Sequence, residues 1–398
     1  MNAISMTQKI STNEVKDAEQ RKALNAWAGQ NYTGTIIAGT GFGKSRCGVM
    51  AVKHVLAAGG RAIVLVPTVQ LQDQFAEEFR KWEAEHCLDH TEIVCYQSAH
   101  KYKDEHYDIV VCDEVHLGLS PVYREFFMNN TYDKILCMTA TPPEEDEYRQ
   151  LLSELAPTAY RITLDQCVAL GLVAPYQIYC VPVELSPEEK TEYNKANRMF
   201  VHAKYLLGGF DAFKNAQAIL GGKLAGDKAA AAKFYAAIRK RKTVVQHAVS
   251  KLEVARTVVD HHAGEKILTF AGSNDFTDRM AEALDGEAYH SKLTKKNREY
   301  ALQCFSDGSC RVLCSTKALN QGFNVPDVGI GIIAGLDSKS LPMIQRLGRL
   351  LRKSEDKVGK VYILYVKDSQ EQKWLESAVK TLNNVNLNVN LNTLFHGT

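Results

Sequence analysis

Zinc, disulfide and membrane signals are all missing from this chain of 398 residues. None of its ten cysteines stands in a C-x-x-C pair, and the tightest group, Cys304, Cys310 and Cys314, has neither zinc-ligand spacing nor a histidine pair beside it. Reduced cysteines serving as small core residues are the expectation. No apolar run approaches the length of a membrane span, and the opening stretch MNAISMTQKISTNEVKDAEQ is polar, without a signal-peptide core. A soluble, intracellular protein with no membrane contact is expected. An excess of one charge is missing too. The 48 Lys and Arg nearly balance the 46 Asp and Glu, leaving +2, so any polyanion footprint must be a local patch and not a global field.

The length suits two domains, and 45% apolar with 24% charged residues is a globular composition. The stretch YTGTIIAGTGFGKSRCGVMAVKHVLAAGG reads as an apolar strand, a glycine-rich turn and an amphipathic helix closed by Gly59 and Gly60. Within it, AGTGFGKS (Ala38 to Ser45) is nearly a phosphate-binding loop, with Ala38 at the position usually held by glycine. Gly39, Thr40, Gly41 and Gly43 would let backbone N–H groups converge on a phosphate at a helix N-terminus. Lys44 would reach the β- and γ-phosphates, and the Ser45 hydroxyl would ligate magnesium. A glycine turn that binds nothing is the alternative, disfavoured by the Lys-Ser pair opening the helix. Strand-like runs follow at Arg61 to Val66, in EIVCY, in YDIVVCDEVHLG and in KILCMTATPP, with Leu71, Phe75, Phe79 and Trp82 at helical spacing between the first two. The alternation argues a doubly wound α/β domain. Asp113 and Glu114 fall at a strand's C-terminal end, where such sheets bind ligands. The first would hold magnesium and the second would polarise water for attack on a γ-phosphate.

From about Ser186 to Asp260 the pattern turns helical, with fourteen Lys or Arg against seven Asp or Glu. RKRK, Arg239 to Lys242, is its densest basic run, and a solvated helix face is the default reading. Strands resume in KILTFAGS, RVLCSTKALNQGF, GIGIIAGL and KVYILYV, giving a second α/β domain without a phosphate loop of its own. MIQRLGRLLRK places Arg346, Arg349 and Arg352 roughly on one helix face behind Gln345. Arg349 and Arg352, opposite a bound γ-phosphate, would stabilise the charge of phosphoryl transfer. The expected boundaries are 1–172 for the ATP-binding domain, 173–370 for the second domain with an insert at about 186–260, and 371–398 for a C-terminal helix and an Asn-rich tail, read as a short edge strand or a disordered end.

In order and spacing, AGTGFGKS, VPTVQLQDQ, CYQSAHK, CDEVH, MTATP, TFAGS, STKALNQGFNVPD and QRLGRLLR resemble the motifs of the superfamily 2 helicases, over about Gln20 to Lys353. The DEVH form and the YQS stretch are similar to the DNA-directed branch of XPB-like and phage UvsW-type recombination helicases more than to the DEAD-box RNA helicases. The resemblance implies two tandem RecA-like domains using ATP and Mg2+. It implies that Gln20 reads adenine, that Gly39, Thr40, Gly41, Gly43 and Gly322 border the nucleotide, and that Ser45 and Asp113 hold the metal. Lys44, Glu114, Gln345, Arg349 and Arg352 would be catalytic, with Glu114 as base. His116, Thr139 and Thr141 would link the nucleotide to the second domain, with His116 also beside the cofactor. Thr68, Gln97, Ser273 and Thr316 would grip the phosphates of one nucleic-acid strand. Asn324 stands where relatives carry aspartate, and a turn residue before Pro326 explains it equally well. The implied activity is a DNA motor moving 3′ to 5′, on branched DNA, as a cytoplasmic monomer in a bacterium or phage-infected cell, with a partner supplying specificity. The rivals are an RNA helicase or remodeler, an ATP-gated clamp without turnover, and a motor subunit of a larger restriction-type complex.

Overall fold

The computed structural model describes residues 12–39, 41–140, 142–143, 145–172, 175–316, 328–337, 344, 358–380, 382 and 384–397. The chain divides into two compact units, with the main break between Pro175 and Tyr176.

The first unit is a six-stranded parallel sheet in the order β3-β2-β4-β5-β1-β6. Its strands are β1 (Thr33–Ala38), β2 (Ala62–Val66), β3 (Thr91–Cys95), β4 (His106–Cys112), β5 (Thr131–Thr139) and β6 (Thr158–Ile162). Every residue of β2 is buried, as expected of a strand covered on both faces. Helices α1 (Thr12–Gly29), α2 (Lys44–Val55) and α3 (Val69–Lys81) flank the sheet. Trp27 of α1 is buried and its indole N–H donates to the Ile135 carbonyl at 2.9 Å, tying this helix to β5. The strand order makes β4, β5 and β1 consecutive neighbours. In register, Cys112 faces Cys137 and Ile37 faces Thr139, so the loops after these three strands emerge at one edge.

The second unit is a seven-stranded parallel sheet, β13-β7-β12-β11-β8-β10-β9. It comprises β7 (Tyr176–Val183), β8 (Lys266–Phe270), β9 (Glu287–Tyr289), β10 (Val312–Ser315), β11 (Val328–Ile333), β12 (Gly359–Val366) and β13 (Val385–Asn386). The sequence did not single out β7, which pairs with β12 along its whole length, from Tyr176 with Gly359 to Val183 with Val366. The Asn-rich tail is part of this unit. Its β13 lies at the sheet edge beside β7, and Phe395 of the last helix, Leu391–His396, stacks on His261 with ring centroids 3.7 Å apart.

The helical segment consists of Pro187–Leu206, Ala212–Leu220, Lys228–Gln246 and Ser250–His261. Ser186 opens the first with a capping box closed by Glu189, and Asp227 caps the third. The RKRK run is not one solvated face, because successive helical residues point about 100° apart. Arg241 turns inward over the Phe200 ring at 4.2 Å and donates to Gln370 Oε1 at 3.3 Å. Lys240 pairs with Glu192, Lys242 lies 3.8 Å from Asp337, and Arg239 is exposed. Deeper in the unit, Lys251 and Glu371 form a fully buried ion pair. Nζ donates to both carboxylate oxygens at 2.7 Å and to the Ala334 carbonyl at 2.8 Å. Glu371 in turn accepts the Leu336 N–H at 3.1 Å and the Val366 N–H at 2.9 Å.

Candidate active site

The loop between β1 and α2 needs glycine where the sequence has it. Gly41 and Gly43 both take φ near +89°, a left-handed conformation that a side chain would strain. No side chain caps α2, so its first-turn N–H groups, including that of the half-buried Ser45, are open to an anion. Gly39, buried, accepts the Phe42 N–H at 3.4 Å and closes the turn. Lys44 is buried; its Nζ donates to the Ala38 carbonyl at 3.1 Å and lies 3.8 Å from Glu114 Oε1.

Asp113 follows the end of β4. Its N–H donates to the Leu65 carbonyl at 2.8 Å, and the buried Tyr96 hydroxyl donates to its carbonyl at 3.0 Å. Burial, and then the charge of Glu114, push the Asp113 carboxyl up to about 7, with Lys44 opposing. Glu114 sits in the left-handed region at φ 48° and ψ 52°, a conformation costing about 1 kcal/mol or more in a side-chain-bearing residue. Its Oε2 accepts from the Thr139 hydroxyl and the Ala140 N–H, each at 3.3 Å. His116 Nδ1 lies 3.0 Å from the Thr139 hydroxyl and 3.5 Å from Glu114 Oε2. His116 and Thr139, read from the sequence as links to the second domain, are therefore brought together around the candidate base.

This donor set fits a magnesium nucleotide. Among the described residues no three His, Cys, Asp or Glu side chains cluster as a metal cage. Asp113 is a buried carboxylate within reach of the Lys44 and Glu114 charges, which suits a cation held mainly by phosphates and water.

Gln20 is buried, and its amide is turned to the loop. Nε2 donates to the Phe42 carbonyl at 2.6 Å and the Gly43 carbonyl at 3.4 Å, and Oε1 accepts from Arg46 at 2.7 Å. Arg46 also pairs with Asp17 and lies 3.9 Å over the Trp82 ring. This Asp17–Arg46–Trp82 network leaves no signal in the sequence, because its members are distant in the chain. In this arrangement Gln20 braces the phosphate loop, with its amide N–H groups on the Phe42 and Gly43 carbonyls and its oxygen on Arg46. Gln20→Ala is therefore expected to raise KM by about tenfold for ATP and GTP alike, the scale of losing one or two hydrogen bonds. A rise for ATP alone in steady-state kinetics would instead make Gln20 the adenine reader.

The four proposed track residues fall in two pairs. Thr68 and Gln97 each lie two residues beyond the in-register partners Val66 and Cys95. The Thr68 hydroxyl is buried without a hydrogen-bond partner, and Gln97 is exposed. Ser273 and Thr316 follow the in-register partners Phe270 and Ser315 in the second sheet. Ser273 caps the helix Asn274–Ala283, and Thr316 offers its carbonyl to the Ser315 hydroxyl at 2.8 Å. Thr40, Thr141, Gly322, Asn324, Gln345, Arg346, Arg349 and Arg352 lie outside the described residues.

Comparison with known proteins places two family models on the chain: "Type III restriction enzyme, res subunit" over residues 13–144 and "Helicase conserved C-terminal domain" over 250–354. The chain is 28% identical over 353 residues to a DNA 3'-5' translocase XPB2 of Sulfurisphaera tokodaii, covering 84% of this chain and 78% of that protein. It is 20% identical to a DNA 3'-5' helicase XPB of Mycobacterium tuberculosis, over 91% of this chain but 62% of the relative. Among solved structures, the Pyrococcus furiosus Hef helicase domain matches with a TM-score of 0.54 at 17% identity, over 91% of this chain and 97% of that one. Yeast Dbp5 bound to RNA and ADP BeF3 matches with a TM-score of 0.57 at 16% identity, over 93% and 88%, and both likenesses speak to the fold.

Proposed function

Because the chain belongs to the superfamily 2 helicases and resembles their XPB-type members, we propose that it is an ATP-dependent DNA helicase or translocase that works with Mg2+, in the cytoplasm and as a monomer. The observation that carries this reading is the convergence of Lys44, Asp113 and Glu114 on the edge formed by β1, β4 and β5, with Thr139 and Ala140 holding the base.

ATP, when bound, supplies the phosphoryl group and magnesium the charge that neutralises it. The chain's own residues do the rest. The first-turn N–H groups of α2 and the Lys44 ammonium bind phosphate oxygens. The Asp113 carboxylate and the Ser45 hydroxyl hold the metal. Glu114 Oε2, aimed by Thr139 and Ala140, accepts a proton from the attacking water. Lys44 must exchange its contact with Glu114 for phosphate, which frees the carboxylate to act as a base. Thr68, Gln97, Ser273 and Thr316 would hold backbone phosphates, and Arg349 and Arg352 would supply charge against the γ-phosphate.

Asp113 gives this reading a pH signature. A carboxyl raised to about 7 is protonated below that pH and must ionise to bind a cation. The apparent Mg2+ affinity, taken from metal titrations of ATP turnover, should tighten by about tenfold from pH 6 to pH 8. Flat affinity across that range would remove Asp113 from the metal site.

The test of function is ATP turnover at one fixed salt with single-stranded DNA, duplex, a four-way junction and single-stranded RNA. Stimulation by DNA and not by RNA is expected. Stimulation by RNA alone would move the chain to the RNA branch, and ATP binding without turnover on any of them would make it a clamp.

A further inference from the structure

We propose that His247 is a positioning residue of the nucleic-acid track, turning the hydroxyl proton of Ser273 outward toward a backbone phosphate. The proposal rests on the reading of Ser273 as a phosphate contact. The helix Lys228–Gln246 ends beside the segments that follow β8 and β11 in the second sheet. There the buried Gln246 amide donates to the Leu336 carbonyl at 2.8 Å and lies against Gly272, where any side chain would collide with it. That anchor sets the next residue. The His247 ring stacks on Phe276 with centroids 5.4 Å apart and planes 19° apart, and its Nε2 lies 2.7 Å from Ser273 Oγ.

A serine hydroxyl has one proton to give and two lone pairs to fill. The Phe276 N–H, at 3.2 Å, fills one lone pair as the helix cap. A neutral His247 carrying its proton on Nε2 fills the other. The hydroxyl proton is then the polar site left over, and it points to whatever lies beyond the sheet edge. A ring with the opposite tautomer would take that proton and leave Ser273 nothing to donate. A phosphate oxygen at the N-terminus of Asn274–Ala283 selects the donating tautomer, because it needs the serine proton and is itself attracted by the helix end. Burial, with Arg279 nearby, holds His247 below its ordinary titration range, so the ring is neutral at neutral pH. Among the other groups near it, Asp275 favours protonation and Lys251 opposes it.

The experiment follows ATP turnover against single-stranded DNA concentration for wild type, His247→Phe, His247→Gln and Ser273→Ala. Phenylalanine keeps the stack on Phe276 and removes the N–H; glutamine restores an N–H donor. His247→Phe is expected to raise the DNA concentration for half-maximal stimulation by about fivefold, the scale of one hydrogen bond, with KM for ATP unchanged. His247→Gln should return it to within about twofold of wild type, and His247→Phe should add nothing in a Ser273→Ala background. A wild-type response from His247→Phe, a glutamine variant as weak as phenylalanine, or additive effects with Ser273→Ala would each overturn the proposal. If DNA stimulates the wild type and Ser273→Ala is silent, the phosphate contact and this inference fall while the motor reading stands. If no nucleic acid stimulates the wild type, both fall.

Discussion

Replacing Glu114 by glutamine is expected to cut ATP turnover by about a thousandfold while leaving ATP bound, because general-base catalysis is worth about that much. Glutamine has the shape of the carboxylate and can present its carbonyl oxygen to the Thr139 hydroxyl and the Ala140 N–H, which lie 3.3 Å from Glu114 Oε2. What it cannot do is accept a proton from water. The left-handed backbone at residue 114 is retained, so the loop has no new reason to move. The Lys44 ammonium loses an anionic neighbour and stays available for phosphate. Nucleotide binding by fluorescence titration, set beside steady-state turnover, separates the two effects. Wild-type turnover in Glu114→Gln would mean that the base is another residue.

The second large effect is on stability. Lys251→Met should destabilise the second unit by about 3–5 kcal/mol, the usual consequence of leaving one partner of a buried ion pair alone. Glu371 would keep its bonds from the Leu336 and Val366 N–H groups but lose the cation that holds its charge in place. Burial already raises the Glu371 carboxyl, with Lys251 opposing, so removing Lys251 pushes it further up. A raised carboxyl favours its protonated form in the fold. The folded state is then most stable at low pH and loses that contribution as pH rises through the folded-state value. The Lys251→Met defect should thus be smaller at pH 5 than at pH 8 in urea denaturation. Adding Glu371→Gln, which keeps an acceptor for one N–H, should recover part of the loss at pH 8. Equal defects at both pH values, or no recovery, would show that packing around Lys251 outweighs its charge.

The parts of the site that sequence reveals are those built from consecutive residues. The phosphate loop, the Asp113-Glu114 pair and Thr139 each sit at the end of an apolar run, and parallel strands carry such ends to one edge. Distant partners leave no comparable trace. Arg46 is just another helical arginine until Asp17, Gln20 and Trp82 surround it. Nothing in the sequence marks His247, and only the fold sets it on Ser273. The RKRK run misled for a related reason: charge density along the chain says nothing of which helix face each residue occupies, and Arg241 is buried. Among the strands, β7 is apolar enough to notice, but its partner lies at the other end of the domain. The two-residue β13 is too short and too rich in asparagine to announce itself.

The pairing of β7 with β12 and β13 has a consequence for how the protein is made. Tyr176 is among the first residues of its unit to be synthesised, and its sheet neighbour Gly359 follows more than a hundred residues later. Until then β7 has both edges bare. Its second neighbour, Val385 beside Ile178, follows more than two hundred residues after it. The first unit can close its sheet while translation continues. The second must hold an unpaired apolar strand until β12, and for its other edge β13, has left the ribosome, and in that interval β7 is open to wrong pairing.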